Sequence, residues 1–344
     1  MTAALDPERR AALRSAKLAA LVAGRWGPAD RKRHALGAVV ALAGPGSTAW
    51  VLADEAPERT LGPALVWADR EGVQELHVIV DGPGDAAAAV ARQAGLFAPP
   101  TPQVWAVAST TLVPAVAASP AHQPDAPAPP ELVDLLIDAG LEIVAEGGLV
   151  RGEINGLEVA RVVHGSTTAG VPIAEPLLEV GVGKADRELT AMVHGELAPV
   201  DQLSRVVAIV REYRRPGAPR HPLNQLVPDR WLRAVLCRNP GIVGLAFLHP
   251  AAGVRPRPNL TERDIAIAAG TTADTAPVVV ACSVGIAVDL VPTAADAREA
   301  IDPSSRLLLA VPERDDHPGT RRLAARLRSP AEVVSVPGDW RAAG

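Results

Sequence analysis

Three glutamates and one lysine fall close together in the middle of this 344-residue chain. Glu153 and Glu158 lie in one apolar run, and Glu179 lies in the next. Lys184 follows after two glycines and is one of only three lysines in a chain with 31 arginines. Arginine does not replace lysine where a compact point charge is needed, so this lysine is a candidate functional group. Carboxylates beside an amine can hold a cation and stabilise developing negative charge.

The elements around these residues have a clear predicted order. The dipeptide Asn155-Gly156 favours a tight hairpin turn, so the long run that contains Glu153 and Glu158 is predicted to be two strands. The sequence predicts a helix at 131–139, strands at 141–145, 149–163 and 177–182, and helices at 184–194 and 199–214. The acidic residues therefore lie on neighbouring strands.

A helix followed by three strands and another helix, with acids on the second and third strands, resembles the core of restriction-endonuclease-like nucleases, the PD-(D/E)XK superfamily. The segments 151–159 and 178–184 carry this resemblance, which covers residues 131–196. It implies a Mg²⁺-dependent phosphodiesterase in which Glu153 or Glu158, together with Glu179, holds the metal. In that scheme Glu158, Glu179 and Lys184 form the catalytic set.

Two positions depart from the pattern of that superfamily. Gly181 stands where the family places its lysine, which makes Lys184 the nearest substitute. Asn155 stands where related variants carry an aspartate. The resemblance therefore implies a divergent or inactive nuclease-like protein that acts on or binds nucleic acid. The carboxylates also fit a structural role as polar members of half-exposed strands.

The charge of the chain is unevenly distributed. Net charge is −5 overall, but residues 1–34 carry +5 and residues 199–263 carry +7. One cluster in the second segment is a candidate for phosphate contacts to nucleic acid, and its members are Arg211, Arg214, Arg215 and Arg220. The alternative is an exposed helix end whose positive charge is favoured by the helix dipole.

The fold class is predicted to be α/β, with two similar outer ββαβαβ domains flanking a middle α+β domain. The predicted boundaries are 1–110, a Pro/Ala-rich linker at 111–130, a middle domain at 131–238 and a C-terminal domain at 258–344. Val78 and Val104 are 26 residues apart, as are Leu308 and Val334, which indicates an internal repeat. The alternative is that two small α/β units simply look alike.

Several classes of protein are disfavoured by the sequence. Cys237 and Cys282 form no zinc-binding or disulfide pattern. No G-x-G-x-x-G follows a strand, and the P-loop pattern fails at Leu178 and Ala185. A charged N-terminus and the lack of a long apolar run predict a cytoplasmic protein without a membrane partner. The second hypothesis for function is a non-catalytic scaffold, with a protein partner or homo-oligomer, built from the duplicated domain.

Overall fold

The computed structural model describes residues 6–28, 32–36, 39–120, 123–194, 197–255, 257 and 259–343. Across these ranges the chain is mixed α/β, with three β-sheets and nine α-helices. It divides into two compact units, each assembled from separate stretches of the chain. Unit 1 contains Met1–Pro120, Val288–Glu299 and His317–Glu332, and unit 2 contains Ala121–Ala287, Ala300–Asp316 and Val333–Gly344.

The N-terminal sheet has six strands that lie in chain order. They are β1 (Lys32–Leu36), β2 (Val39–Ala43), β3 (Thr48–Ala53), β4 (Glu75–Val80), β5 (Gln103–Ala108) and β6 (Thr111–Pro114). The helices are α1 (Pro7–Trp26), α2 (Leu61–Glu71) and α3 (Gly84–Gly95). Only β3, β4 and β5 pair in parallel, because a helix joins each of these strands to the next, while the short connections give antiparallel pairs. The sheet is therefore mixed, and β6 occupies the start of the predicted linker.

The middle sheet has four antiparallel strands in the order β10-β9-β8-β7. The strands are β7 (Glu142–Glu146), β8 (Leu149–Ile154), β9 (Leu157–Val163) and β10 (Leu177–Val180), and the helices are α4 (Pro130–Asp138), α5 (Gly183–His194), α6 (Pro199–Tyr213) and α7 (Pro228–Arg238). Asn155 and Gly156 both have positive φ, at 48° and 75°, which is the conformation of a two-residue hairpin turn. The prediction that this run is two strands is confirmed.

The C-terminal sheet has five strands in chain order. They are β11 (Phe247–Ala251), β12 (Ala266–Thr271), β13 (Pro277–Cys282), β14 (Arg306–Pro312) and β15 (Glu332–Val336), with helices α8 (Leu290–Ile301) and α9 (Pro318–Ala325) after β13 and β14. β12 pairs antiparallel with β13, and β13 pairs parallel with β14, as β2, β3 and β4 do in the N-terminal sheet. Strands β2–β4 and β12–β14 thus share order and directions, and duplication stays a prediction.

Unit 1 contains a contact between two positions that are equivalent in the predicted repeat. Phe97 forms an isolated antiparallel bridge with Leu327, and the residues beside them exchange two backbone hydrogen bonds of 2.8 Å each. The positions 97 and 327 differ by 230, as do Val78 and Leu308. The predicted repeat makes these positions equivalent, and a bridge between equivalent positions is the pattern expected of an isologous two-fold contact.

Helix α2 of unit 1 approaches the backbone ahead of α8 closely. A Cβ atom on Gly62 would lie 2.1 Å from the carbonyl oxygen of Val288, so only glycine fits at this position. On α3, Arg92 donates from Nε to Asp296 Oδ1 at 2.6 Å, and Asp296 is 1% exposed. These contacts explain why 288–299 belongs to the same compact unit as the N-terminal residues.

Helix α7 links the two sheets of unit 2. Trp231, Leu232 and Val235 are buried in the core that includes β12, β13 and β14. Arg230 and Arg233, on the same helix, are paired with Glu153 on β8 of the middle sheet. One helix therefore contributes apolar residues to the C-terminal core and charged residues to the region of the predicted site.

Candidate functional site

The three predicted carboxylates lie on adjacent strands of the middle sheet. Glu153 is on β8, Glu158 on β9 and Glu179 on β10. Glu153 lies opposite Glu158, next to an irregularity in the register, and Glu179 lies opposite Arg161. The antiparallel order thus brings the acids into one region, where each of them contacts arginine.

Glu158 is held by two guanidinium groups. Arg151 Nε lies 2.8 Å from Glu158 Oε2, and Arg187 Nη1 donates to Glu158 Oε1 at 3.0 Å. The glutamate side chain is 12% exposed, and the side chains of its partners are 14% and 9% exposed. The carboxylate therefore joins Arg151 of β8 to Arg187 of α5 through its two oxygens.

Glu179 has a still more complete set of donors. Arg161 Nε donates to its Oε2 atom at 3.1 Å, and Thr168 donates to the carboxylate from both its backbone N–H and its hydroxyl. Arg187 Nε lies 3.8 Å away. Burial alone raises the pKa of Glu179, but the hydrogen bonds from Thr168 and Arg161 outweigh it and hold the pKa below its usual range. The group is an ionised, fully bonded acceptor near neutral pH.

Glu153 is the most deeply buried of the three, at 1% exposure. Arg230 Nη1 donates to its Oε1 at 2.8 Å, and Arg233 Nη2 donates to its Oε2 at 3.0 Å. Arg230 also donates to Glu146 at 2.5 Å. Glu153 is therefore a structural anchor for α7, on the evidence of its burial and its two arginine partners.

Position 181, where the nuclease superfamily carries a lysine, has no room for a side chain. Gly181 has φ +138°, and a Cβ atom there would lie 2.8 Å from the backbone nitrogen of Arg187. Lys184, the substitute, is on the first turn of α5 with a side chain that is 72% exposed, and its Nζ is 3.8 Å from Glu188. The described contacts of Lys184 thus do not include the three carboxylates.

The predicted arginine cluster separates into different environments. Arg211 donates from Nη2 to the carbonyl oxygens of Ala139 and Gly140, at 2.8 and 3.0 Å, and so binds the C-terminal end of α4. Arg215 and Arg220 are exposed.

Arg214 differs from these three because it is 1% exposed. It donates to the carbonyl oxygens of Asn155, Leu223, Leu226 and Val227, and its guanidinium carbon lies 4.4 Å from the centre of the Trp231 ring. A guanidinium that is this buried and this fully bonded stabilises the fold and does not reach a ligand at the surface.

A cavity of about 740 Å³ opens beside Glu158 and the start of α5, within unit 2. This volume lies in the range of roughly 300–1,000 Å³ that small-molecule sites occupy. Its described lining has two carboxylates, Glu146 and Glu158, and more cationic groups. The cationic groups are Arg151, Arg161, Lys184, Arg187, Arg230, Arg255 and Arg257.

The arginines of the lining differ in where their carboxylate partners lie. Arg161, Arg230 and Arg257 line it, whereas their partners Glu179, Glu153 and Asp229 are outside its described lining. Arg255, 3.5 Å from Asp264, is arranged in the same way. Four arginines of the lining therefore have a carboxylate partner outside it, whereas Glu146 and Glu158 pair with arginines from within the lining.

The start of α5 adds a further positive element. Gly183, Lys184 and Ala185 line the cavity at the first turn of this 12-residue helix. The N–H groups of a first helical turn have no partners within the helix and carry the positive end of its dipole. Asp186 accepts the N–H of Val182 at 2.6 Å. The cavity therefore combines guanidinium groups with a helix N-terminus, which is an environment for an anion.

Magnesium binding stays a prediction of the family resemblance, and the arginines argue against it. Mg²⁺ requires carboxylate oxygens that face it without competing cations. Glu153, Glu158 and Glu179 each direct oxygens at guanidinium groups instead. Within the described ranges, no group of three or more His, Cys, Asp or Glu side chains is arranged to hold a metal ion. The donor set therefore does not fit this metal.

The arginines of the cavity were missed at the level of sequence, although signals were present. Arg151 and Arg161 lie in the same predicted strands as the acids. Arg230, Arg255 and Arg257 belong to the segment 199–263, whose excess of positive charge is visible in the sequence. What the sequence does not show is that these separate positions meet around one cavity.

Comparison with models of known protein families, with curated proteins and with solved structures finds no match to this chain. In the part of the chain that the structure describes, no helix has the length and apolar character needed to cross a membrane.

Proposed function

We propose that unit 2 binds nucleic acid and that the arginine-lined cavity receives phosphate groups of the nucleic acid. We further propose that the protein does not cleave the nucleic acid that it binds. The excess of positive charge in the lining carries this proposal. Six guanidinium groups and Lys184 line the cavity together with two carboxylates, while four further carboxylates that pair with these arginines lie outside the described lining. The described lining of this cavity of about 740 Å³ therefore holds more cationic than anionic side chains, an excess that a bound anion would offset.

Phosphate is the anion that suits this lining best. The planar fork of arginine matches the oxygens of phosphate and binds them in pairs, and a helix N-terminus adds backbone donors. The described lining contains no aromatic side chain on which a base would stack. Contacts to phosphate position a nucleic acid without reading its sequence, so we expect binding with little sequence preference.

The absence of cleavage follows from the partners of the predicted catalytic set. Glu158 and Glu179 are bound by Arg151, Arg161 and Arg187, and so are not arranged to receive a metal. A lysine at position 181 is prevented by the backbone of α5. These contacts favour the inactive form of the nuclease-like hypothesis.

The test is a binding and cleavage panel on single- and double-stranded DNA and RNA, with Mg²⁺, Mn²⁺ or EDTA. We expect binding that EDTA leaves unchanged and that weakens steeply between about 50 and about 200 mM salt, as phosphate contacts require. We expect no cutting with either metal. Metal-dependent cutting that Glu179→Ala abolishes would instead establish a divergent nuclease.

The scaffold hypothesis has support of its own in the shared strand order of the two outer sheets and in the bridge between Phe97 and Leu327. It predicts no affinity for nucleic acid in the same panel. It also predicts a defined homo-oligomer or partner complex, which light scattering after size-exclusion chromatography would detect. Salt-sensitive binding of nucleic acid by a monomer would exclude it as the sole function.

A further inference from the structure

Three of the arginines that line the cavity have little exposed surface. The side chains of Arg187 and Arg230 are each 9% exposed, and that of Arg257 is 8% exposed. All three line the cavity. An internal phosphodiester has a nucleotide on both sides and stays near the surface of the protein. A phosphate at a chain end has a nucleotide on one side only, and so can enter a recess.

Three of the guanidinium groups are held next to one another by shared carboxylates. Glu158 joins Arg151 to Arg187, with distances of 2.8 and 3.0 Å. Glu146 joins Arg151 to Arg230, with distances of 3.5 and 2.5 Å. Two arginines that share one carboxylate are neighbours, and like charges repel more strongly where water is excluded.

Electrostatic effects at Arg187 agree with this arrangement. Burial lowers the pKa of the Arg187 guanidinium, and the neighbouring Arg161 acts in the same direction against the attraction of Glu158. A bound anion would favour the charged form. A dianion would do so more strongly than a monoanion, because the Coulomb attraction scales with charge.

We infer that the cavity binds a phosphomonoester, the terminal phosphate of a nucleic-acid strand, in preference to an internal phosphodiester. This inference rests on the proposed function and specifies which phosphate of the nucleic acid enters the cavity. Arg151, Arg187 and Arg230 would contact its oxygens, and the first turn of α5 with Lys184 would lie at its side. A free nucleoside monophosphate presents the same chemistry.

The experiment compares short oligonucleotides of one sequence that carry either a 5′-phosphate or a 5′-hydroxyl, with a fluorescent label at the 3′ end. Fluorescence anisotropy gives the affinities, and adenosine monophosphate serves as competitor. We expect the phosphorylated strand to bind about tenfold more tightly. Its advantage should grow from about pH 5.5 to about pH 7.5, because the second ionisation of a phosphomonoester falls near pH 6.

Two charge reversals on exposed side chains provide a matched pair of variants. Lys184→Glu places a negative charge at the cavity and should remove the preference for the 5′-phosphate. Arg220→Glu makes the same change of charge outside the described lining and should keep the preference. Both positions are exposed, and thermal unfolding of each variant shows whether the fold is intact.

The outcomes separate the inference from the function on which it rests. Equal affinity for the two strands would overturn the inference and leave nucleic-acid binding standing. Binding of the monophosphate without binding of either strand would support the phosphomonoester and overturn nucleic acid as its source. No binding of any of the three ligands would overturn both.

Discussion

Two sets of arginines on the elements of unit 2 have the same chemistry and opposite surroundings. In the inner set, Arg233 is 1% exposed against Glu153, and Arg214 is 1% exposed against backbone carbonyl oxygens. In the cavity set, Arg151 and Arg187 share Glu158 and line an open volume. Position in the fold, rather than residue type, decides which guanidinium is enclosed by the protein and which lines a cavity.

The comparison also separates two kinds of carboxylate. Glu153 belongs to the inner set, because both its partners lie on α7 and one of them is outside the described cavity lining. Glu158 belongs to the cavity set, because it lines the cavity and orients two arginines there. Substitutions should therefore affect stability in the first set and binding in the second. Four changes, from the largest effect to the smallest, test that division.

The largest effect is expected for Glu153→Ala. The change leaves Arg230 and Arg233 buried without the acid that both contact, and breaking such a buried pair typically costs about 3–5 kcal/mol of unfolding free energy. Urea denaturation measures the loss. Glu188→Ala is the matched control, because its side chain is 37% exposed and pairs only weakly with Lys184. If Glu153→Ala lowered the free energy of unfolding by less than about 1 kcal/mol, Glu153 would not be a stabilising partner of the buried arginines.

Arg214→Lys should lower stability by about 2–4 kcal/mol, because a single ammonium group cannot reproduce the planar fork that contacts several carbonyl oxygens. Thermal and urea unfolding report the change. Arg215→Lys, at the exposed neighbouring position, should be close to neutral. If Arg214→Lys kept full stability but lost nucleic-acid affinity, Arg214 would belong to a binding surface after all.

The third change is Asp229→Asn. Asp229 pairs with Arg257 and is outside the described lining of the cavity. Burial raises its pKa to about 6, against the attraction of Arg257. A raised folded-state pKa gives stability that is present below the unfolded value of 3.8 and is lost as pH rises through about 6. The free energy of unfolding of the native protein, relative to that of Asp229→Asn, should therefore fall by about 2 kcal/mol between about pH 4 and about pH 7. A constant difference would show that folding does not raise the pKa of Asp229.

The smallest effect is expected for Arg220→Ala. This exposed residue is outside the described lining of the cavity, and single exposed charges contribute little to stability. We expect unchanged unfolding and an affinity for nucleic acid within about twofold of the native protein. A tenfold loss of affinity would move the binding surface to the arginine cluster predicted from sequence.

The sequence was informative where local patterns decide structure. The turn at Asn155-Gly156 and the placement of Glu153, Glu158 and Glu179 on neighbouring strands follow from short-range rules and are found in the fold. The partners of these acids depend on contacts between distant segments. Arg230 is 77 residues from Glu153 and Arg187 is 29 residues from Glu158, and no local pattern encodes such pairs.

The resemblance to nucleases shows the same limit. It was based on the spacing of acids along two strands, and that spacing does not distinguish a carboxylate that holds a metal from one that holds an arginine. Gly181 is the departure that did signal the difference in the sequence, since a glycine at the lysine position matches a backbone at φ +138° that excludes a side chain. The excess of arginine in 199–263 was visible too, but its convergence with Arg151 and Arg187 was not.

The division of the chain between its two units has a consequence for how the protein is made. Unit 1 begins with the first residues of the chain, yet it is completed by Val288–Glu299 and His317–Glu332, which follow the whole of Ala121–Ala287. During synthesis the residues of the middle sheet are therefore made before the segment around Val288, which contacts α2 at Gly62. A nascent chain released before residue 288 would carry an unfinished first unit, in which Gly62 lacks its neighbour Val288 and Arg92 lacks its partner Asp296, and incomplete units of this kind are prone to aggregation.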